Sequence, residues 1–327
     1  MPVNSIPMMP PVRPYPIVLV VSFNRYKYYD TIPYIELLYR DYFENILYCG
    51  PSQPPEDLMI KFQMSYVLFE QPGNQLDGAY IYNCTMQAIN MNYDARGILY
   101  MSDDALLKVE SLVDYNMSAI WQSNYVYGVN DRRDLHLASY TDQVKGPKEC
   151  DEENFKLPCN KTPEQIWFGY LKKEIINTHN ELLAKVTMEQ ETEDKLFTNF
   201  LQTLEEMSGG KMRYFKTIVD VYYIPKGYWK QFYRLAEVFL QHKIYMEIAV
   251  PSILRGIEKN ISDQPVTLLE GRQYARSKMV PLLFENKEWY SWHPFKLGKI
   301  QSGDNDTIQA YCSLFHGNWY RNPINIE

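Results

Sequence analysis

The first half of the chain alternates two hydrophobic rhythms. Ile17 to Phe23 is an unbroken apolar run rich in Val, the pattern of a parallel strand covered on both faces. From Ile32 to Phe43 the period lengthens: Ile35, Leu38, Tyr39 and Tyr42 fall at i, i+3, i+4 and i+7, one face of a helix. Asn45 to Cys49 is strand-like again and is stopped by Gly50-Pro51. A further strand is expected at Ser65 to Phe69, a helix over Gly78 to Met91 and a strand over Gly97 to Met101. Strands alternating with helices in this way imply an α/β fold with a doubly wound, mostly parallel sheet. In such sheets ligands bind beyond the carboxyl ends of the strands, where the strand order reverses. Two polar groups stand at such ends, Asn24-Arg25 after the first strand and Asp103-Asp104 after the last.

The second half reads differently. Lys145 to Lys161 is charged and carries Cys150, Pro158 and Cys159, as a surface loop would. Thr162-Pro163-Glu164-Gln165 has the order of a helix start, with Thr as N-cap, Pro at the first helical position and Gln three residues after the cap. A mainly helical stretch then runs to Met207 and is stopped by Gly209-Gly210. Tyr214 to Ile224 returns to strand character through Val219, Val221 and Tyr223. Gly227 to His242 predicts a helix with Trp229, Phe232, Leu235 and Phe239 inward. Glu247 opens an apolar segment to Ile257, and the tail from Tyr290 is aromatic and loop-like. The organisation expected is an irregular leader (1–16), an α/β half (17–140), a loop and helical insertion (141–210) and a second half of the same domain (211–327).

Composition narrows the partners. With 327 residues, 46% of them hydrophobic, the chain can bury one large α/β domain or two packed lobes. A net charge of −7 leaves no basic field for duplex nucleic acid, although one or two local cations suffice for a diphosphate. No stretch approaches the ~20 apolar residues that span a bilayer, so no membrane span is expected. The leader, with Pro2, Pro7, Pro10, Pro11, Pro14 and Pro16, is no signal-peptide pattern. The cysteine spacings fit no zinc finger; Cys150 and Cys159 are placed to close a short disulfide, leaving Cys49 and Cys84 as buried thiols. Asn-X-Ser/Thr triplets begin at Asn83, Asn116, Asn160, Asn260 and Asn305. Together with a disulfide they tilt the expectation towards a secretory (Golgi) lumen, with the cytoplasm as alternative. Glycine-rich dinucleotide or Walker loops, a Gly-X-Ser-X-Gly elbow and a His-Glu-X-X-His pair are all missing from the sequence, which disfavours oxidoreductases, P-loop kinases, serine hydrolases and zinc proteases.

Candidate chemistry centres on Ser102-Asp103-Asp104. A divalent cation neutralises a departing diphosphate, and hard cations prefer carboxylate oxygens, so two Asp at an uncovered strand end can present both charges to one ion. The plainer reading is a solvated turn in which an Asp caps a helix over Ala105 to Val113. Ser22-Phe23-Asn24-Arg25 offers polar groups to a nucleobase and a guanidinium to phosphate, while an Arg25–Asp30 ion pair explains Arg25 equally well. Asp77-Gly78 suits a ribose contact or simply begins a helix.

At these residues the sequence resembles glycosyltransferases of the GT-A fold. Val18 to Arg25 is similar to the first strand and nucleotide-contacting turn of exostosin-like members, and Leu99 to Asp104 to their metal motif. Asp220 to Pro225 and Glu247 to Pro251 resemble segments of STELLO-like glycosyltransferases. The likeness covers about two thirds of the chain in scattered blocks, and its acidic motif is short. It implies transfer of a sugar from a nucleotide-diphosphate donor, a UDP-sugar being favoured, to a glycan or other hydroxyl acceptor with Mn²⁺ or Mg²⁺.

The residue roles the resemblance implies are specific. Asp104 and Asp103 hold the metal; Ser102 stands where the family pattern has an acid, so Asp104 leads and Asp103 shares the ion or holds the ribose. His293 is the third ligand, with His316 in reserve, and Lys296 faces the diphosphate. Ser22, Asn24, Arg25, Asp77 and Gly78 contact the nucleotide, Trp292 and Trp319 stack on sugar rings, and Glu247 takes the acceptor proton. A helix-start acid also interacts favourably with the helix dipole without any catalytic role. The alternative function is a catalytically inactive GT-A-like scaffold that binds a glycan or partner enzyme; a nucleotidyltransferase is a weaker third. Convergence of Asp103, Asp104, Glu247 and His293 on one cleft separates enzyme from scaffold.

Overall fold

The computed structural model describes residues 15–23, 28–69, 80–109, 112, 115–126, 136–139, 172–190, 192–207, 210, 212–216, 219–258, 267–273 and 290–316. Asn24, Arg25, Asp77, Gly78, Cys150, Cys159, Trp319, the loop over 145–161 and the helix start at Thr162 lie outside the described residues, as does the side chain of His316.

Strand β1 (Tyr15–Ser22) is the axis of the fold. Its run of apolar residues is buried on both faces: Val18 and Val20 join one hydrophobic core, Ile17, Leu19 and Val21 the other. It is paired in parallel with β2 (Phe43–Gly50) on one side and β4 (Gly97–Ser102) on the other, and β3 (Ser65–Leu68) lies parallel beyond β2. The chain therefore winds outward to β3 and returns to the opposite side of β1. The order reverses between β1 and β4, whose last residues, Ser22 and Ser102, stand in register. That crevice is where a doubly wound sheet takes its ligand.

The sheet continues past β4 through β9 (Val221–Pro225), β6 (Trp121–Val126), β10 (Thr267–Gln273), β11 (Ser291–His293) and β5 (Leu106–Leu107), giving the order β3-β2-β1-β4-β9-β6-β10-β11-β5. Only β9 and β5 run against the others, so the protein is a mixed α/β fold on a mostly parallel sheet. A separate pair joins β7 (His136–Ser139) to β8 (Arg213–Lys216).

One face is covered by α3 (Tyr82–Asn90), α6 (Trp229–Gln241) and α7 (Met246–Ile257), with α4 (Lys172–Glu189) and α5 (Leu196–Met207) packed outside them. Trp229, Phe232, Leu235 and Phe239 turn inward on α6 as their spacing predicts. The other face carries α1 (Ile32–Tyr39), α8 (Gly298–Gln301) and α9 (Asn305–His316). Among the described residues no helix is long and apolar enough to cross a membrane.

Several local expectations change. The helix read to Phe43 stops at Tyr39, and Phe43 opens β2 instead, its side chain buried beside Tyr15 and Tyr39. A short helix, α2 (Glu56–Lys61), forms between β2 and β3. Where a helix over Ala105 to Val113 was expected, Leu106-Leu107 is a strand antiparallel to β11: buried pairing at a sheet edge overrides local propensity. Tyr214 to Ile224 is two strands in two different sheets, and the loop-like tail from Tyr290 contains β11, α8 and α9. Cys49 and Cys84 are not thiols. They form a disulfide between β2 and α3, which the 35-residue separation hides from spacing arguments because α3 reaches β2 only by crossing over the sheet.

Candidate metal centre

The acidic pair is not a solvated turn. Asp103 and Asp104 are 7% and 6% exposed, immediately past the carboxyl end of β4. Their backbone is committed to the crevice, with the Asp103 amide donating to Ser22 O (3.0 Å) and the Ser102 amide to Asp220 O (2.9 Å). The chain then crosses the strand ends to Leu106-Leu107, which pairs with Trp292 and Ser291 of β11. The far edge of the nine-stranded sheet thereby curls back towards β4. Phe295 donates its amide to Asp104 O at 2.6 Å and closes the loop.

This return path brings distant residues together. His293 Nε2 stands 3.3 Å from Asp104 Oδ1, and its Nδ1 stands 3.2 Å from Asp220 Oδ2. Lys296 pairs its ammonium with Asp104 Oδ2. Ser102 Oγ donates to Asp220 Oδ1 at 3.2 Å, while no hydrogen bond reaches the buried Asp220 Oδ2 among the described residues. One ligand atom from each of Asp104, Asp220 and His293 lies within 4.8 Å of the others, a spacing that one ion can bridge.

The electrostatics are unbalanced. Burial pushes the Asp103 carboxyl well above the usual range, and the adjacent Asp104 pushes it further. Burial and the Asp104 charge likewise raise Asp220 against the pull of His293. Burial also disfavours the Asp104 charge, but the His293 hydrogen bond and charge together with Lys296 outweigh it and hold that carboxyl at about 2. For His293 burial favours the neutral ring, yet Asp220 and Asp104 win and raise it; for Lys296 burial is likewise overcome by Asp104. Three carboxylates thus face one ammonium and one imidazole. The donor set, two carboxylates and an imidazole whose ligand atoms lie close together, with one buried carboxylate oxygen met among the described residues by no hydrogen bond but only by the His293 ion pair, would suit a cation.

Of the residues singled out in the sequence, Asp103, Asp104, His293 and Lys296 meet here. Ser22 is fully buried and shares a 2.6 Å hydrogen bond with the Tyr100 hydroxyl, so its side chain is engaged beneath the crevice. Trp292 is buried in the core rather than offered to a sugar ring. Glu247 occupies the first turn of α7, and its charge, after burial, Tyr80 and Glu174, helps to raise the Tyr245 hydroxyl to about 12. Helix α7 begins on the side of the strands' carboxyl ends, since Tyr82 donates to Ile244 O at 2.9 Å beside Cys84, which is bonded to Cys49 near the end of β2.

Asp220 was missed. Its signal was an acid directly before the apolar run Val221 to Ile224, and it gains meaning only because β9 runs antiparallel to β4. That reversal puts the start of one strand beside the end of the other. No family model matches the chain, and no curated protein matches it in sequence.

Proposed function

We propose that this chain is a glycosyltransferase of GT-A-like fold, moving a sugar from a nucleotide-diphosphate donor to a hydroxyl acceptor with a divalent metal. The observation that carries the reading is the convergence of Asp104, Asp220, His293 and Lys296 at the point where the strand order reverses. Asp104, Asp220 and His293 would hold Mn²⁺ or Mg²⁺, and the adjoining Asp103, whose ionised form burial and Asp104 disfavour, would ionise more readily with a cation in place. The metal, when bound, supplies positive charge to the leaving diphosphate. Lys296, half-exposed and paired with Asp104, adds a cation for the same phosphates. Glu247 is the acid assigned to the acceptor, removing the proton from its hydroxyl as the sugar transfers.

A UDP-sugar is the donor to test first. Calorimetry is expected to give UDP binding that requires Mn²⁺, and Glu247→Gln should keep this binding while losing transfer. Binding of UDP that is indifferent to Mn²⁺ would sink the metal assignment, and normal turnover by Glu247→Gln would sink the base.

One observation favours the second reading, a catalytically inactive scaffold for a glycan or partner enzyme. Lys296 and His293 already cover Asp104 from both sides, as they would if the cluster were an internal ion network. A protein that binds a glycan in calorimetry, yet neither Mn²⁺ nor any nucleotide diphosphate, would be that scaffold.

A further inference from the structure

We propose that Asn116 is an N-glycan acceptor and that the chain matures in a lumen that oxidises thiols. The inference is independent of the glycosyltransferase reading and uses the opposite end of the sheet. Asn116-Met117-Ser118 lies in the turn before Trp121, the first residue of β6. Because β6 runs in the same direction as β4, this turn sits at the amino ends of the strands, away from Asp103-Asp104.

The turn is fixed from below and open above. The Trp121 indole donates to Asn116 O at 2.9 Å and the Tyr223 hydroxyl to Met117 O at 3.0 Å, so two core aromatic rings hold the backbone. Asn116 and Ser118 are both exposed. Asn116 Oδ1 accepts the Ser118 amide at 2.9 Å, which brings the asparagine amide group and the serine to the same side of the turn. Nδ2, the atom that a glycan takes, donates no hydrogen bond among the described residues, and Oδ1 keeps its partner after modification.

The other described triplets lack this presentation. Asn83 is half-buried on α3, its Oδ1 accepts Gln87 Nε2, and the hydroxyl of Thr85 is inside the core against Tyr222. Asn305 is exposed, but Thr307 is buried with its hydroxyl donated to Asp304 at 2.6 Å. The Cys49–Cys84 disulfide is the separate observation that specifies the compartment: both cysteines are buried, and a buried disulfide belongs to proteins that fold where thiols are oxidised. In that compartment the asparagine amide nitrogen attacks the anomeric carbon of an oligosaccharide carried on a lipid pyrophosphate. The C–N bond forms, the bond from that carbon to the pyrophosphate oxygen breaks, the amide proton leaves to a base, and the lipid pyrophosphate departs.

The test is to route the full chain into the secretory lumen of eukaryotic cells and digest the product with peptide N-glycosidase in heavy-oxygen water. The peptide containing residue 116 should carry a labelled aspartate, and Asn116→Gln or Ser118→Ala should each remove one mobility step. Asn83→Gln should leave the pattern as it was. Unreduced peptide mapping should recover Cys49 linked to Cys84. An unlabelled Asn116 in the secreted chain, or a label at Asn83 in its place, overturns the acceptor assignment; free thiols at Cys49 and Cys84 overturn the compartment.

Discussion

Glu36 and Asp104 are both buried carboxylates, on opposite sides of one principle. Glu36, on α1, accepts Arg40 Nε at 2.6 Å and Nη2 at 2.7 Å and the Tyr48 hydroxyl at 2.7 Å. Burial raises the Tyr48 hydroxyl far above its ordinary range, so it stays a neutral donor; one anion, one cation and one neutral group leave nothing over. Around Asp104 three carboxylates crowd one lysine and one histidine, and Asp220 keeps an oxygen without a hydrogen bond among the described residues. The first arrangement is complete by itself, as structural ion pairs are. The second has more carboxyl groups than cations, an imbalance expected of a binding centre rather than of a brace.

Three substitutions separate the two clusters. The largest effect is expected for Asp104→Ala, which should weaken Mn²⁺ binding by on the order of a hundredfold or more. The wild-type chain should gain about 2.7 kcal/mol of stability in Mn²⁺ at a hundredfold excess over its Kd, and this variant at the same concentration no more than about 0.4 kcal/mol. An equal gain in both, read from urea unfolding, would show that the cation binds elsewhere.

Glu36→Ala should cost about 2–3 kcal/mol in the same unfolding assay, at or below the low end for a broken buried pair because Arg40 is partly exposed and can turn to water. Its stabilisation by Mn²⁺ should remain that of the wild type. Loss of the metal response here would mean that the two clusters are coupled.

Asp220→Asn has the smallest effect and the most telling sign. A carboxyl whose folded pKa is raised is destabilising when ionised above its unfolded pKa, so removing its charge should leave metal-free stability level or higher. Mn²⁺ affinity should nevertheless fall, by roughly tenfold, about 1.4 kcal/mol. A clear loss of metal-free stability would make Asp220 a brace like Glu36.

How much of this is legible in the sequence follows from range. The Val-rich run of β1 and the 3.6-residue spacing on α6 are local patterns, and both elements form where they predict. The acidic pair could be located because it ends an apolar strand, and its strand lies at the reversal of order as alternation implies. Asp220 could not be paired with it, since nothing in Val221 to Ile224 tells which way the strand runs. Leu106-Leu107 is two residues whose partner is near position 291, and their strand character comes wholly from that partner. The disulfide depends on where α3 crosses, again a contact made across the sheet.

The strand that carries Asp220 has a mechanical meaning. β9 is gripped on both sides, by β4 and by β6, so Asp220 sits on a fixed jaw. His293 ends a three-residue strand whose outer neighbour has two residues, and Lys296 follows three residues on, beside the Phe295 amide that closes on Asp104. Few backbone bonds must break to swing that segment, and local opening concentrates where such bonds are few. The centre is therefore built like a vice with one fixed jaw, and local opening is expected first along the stretch from His293 to Leu297 rather than along the strands that set the acids in place.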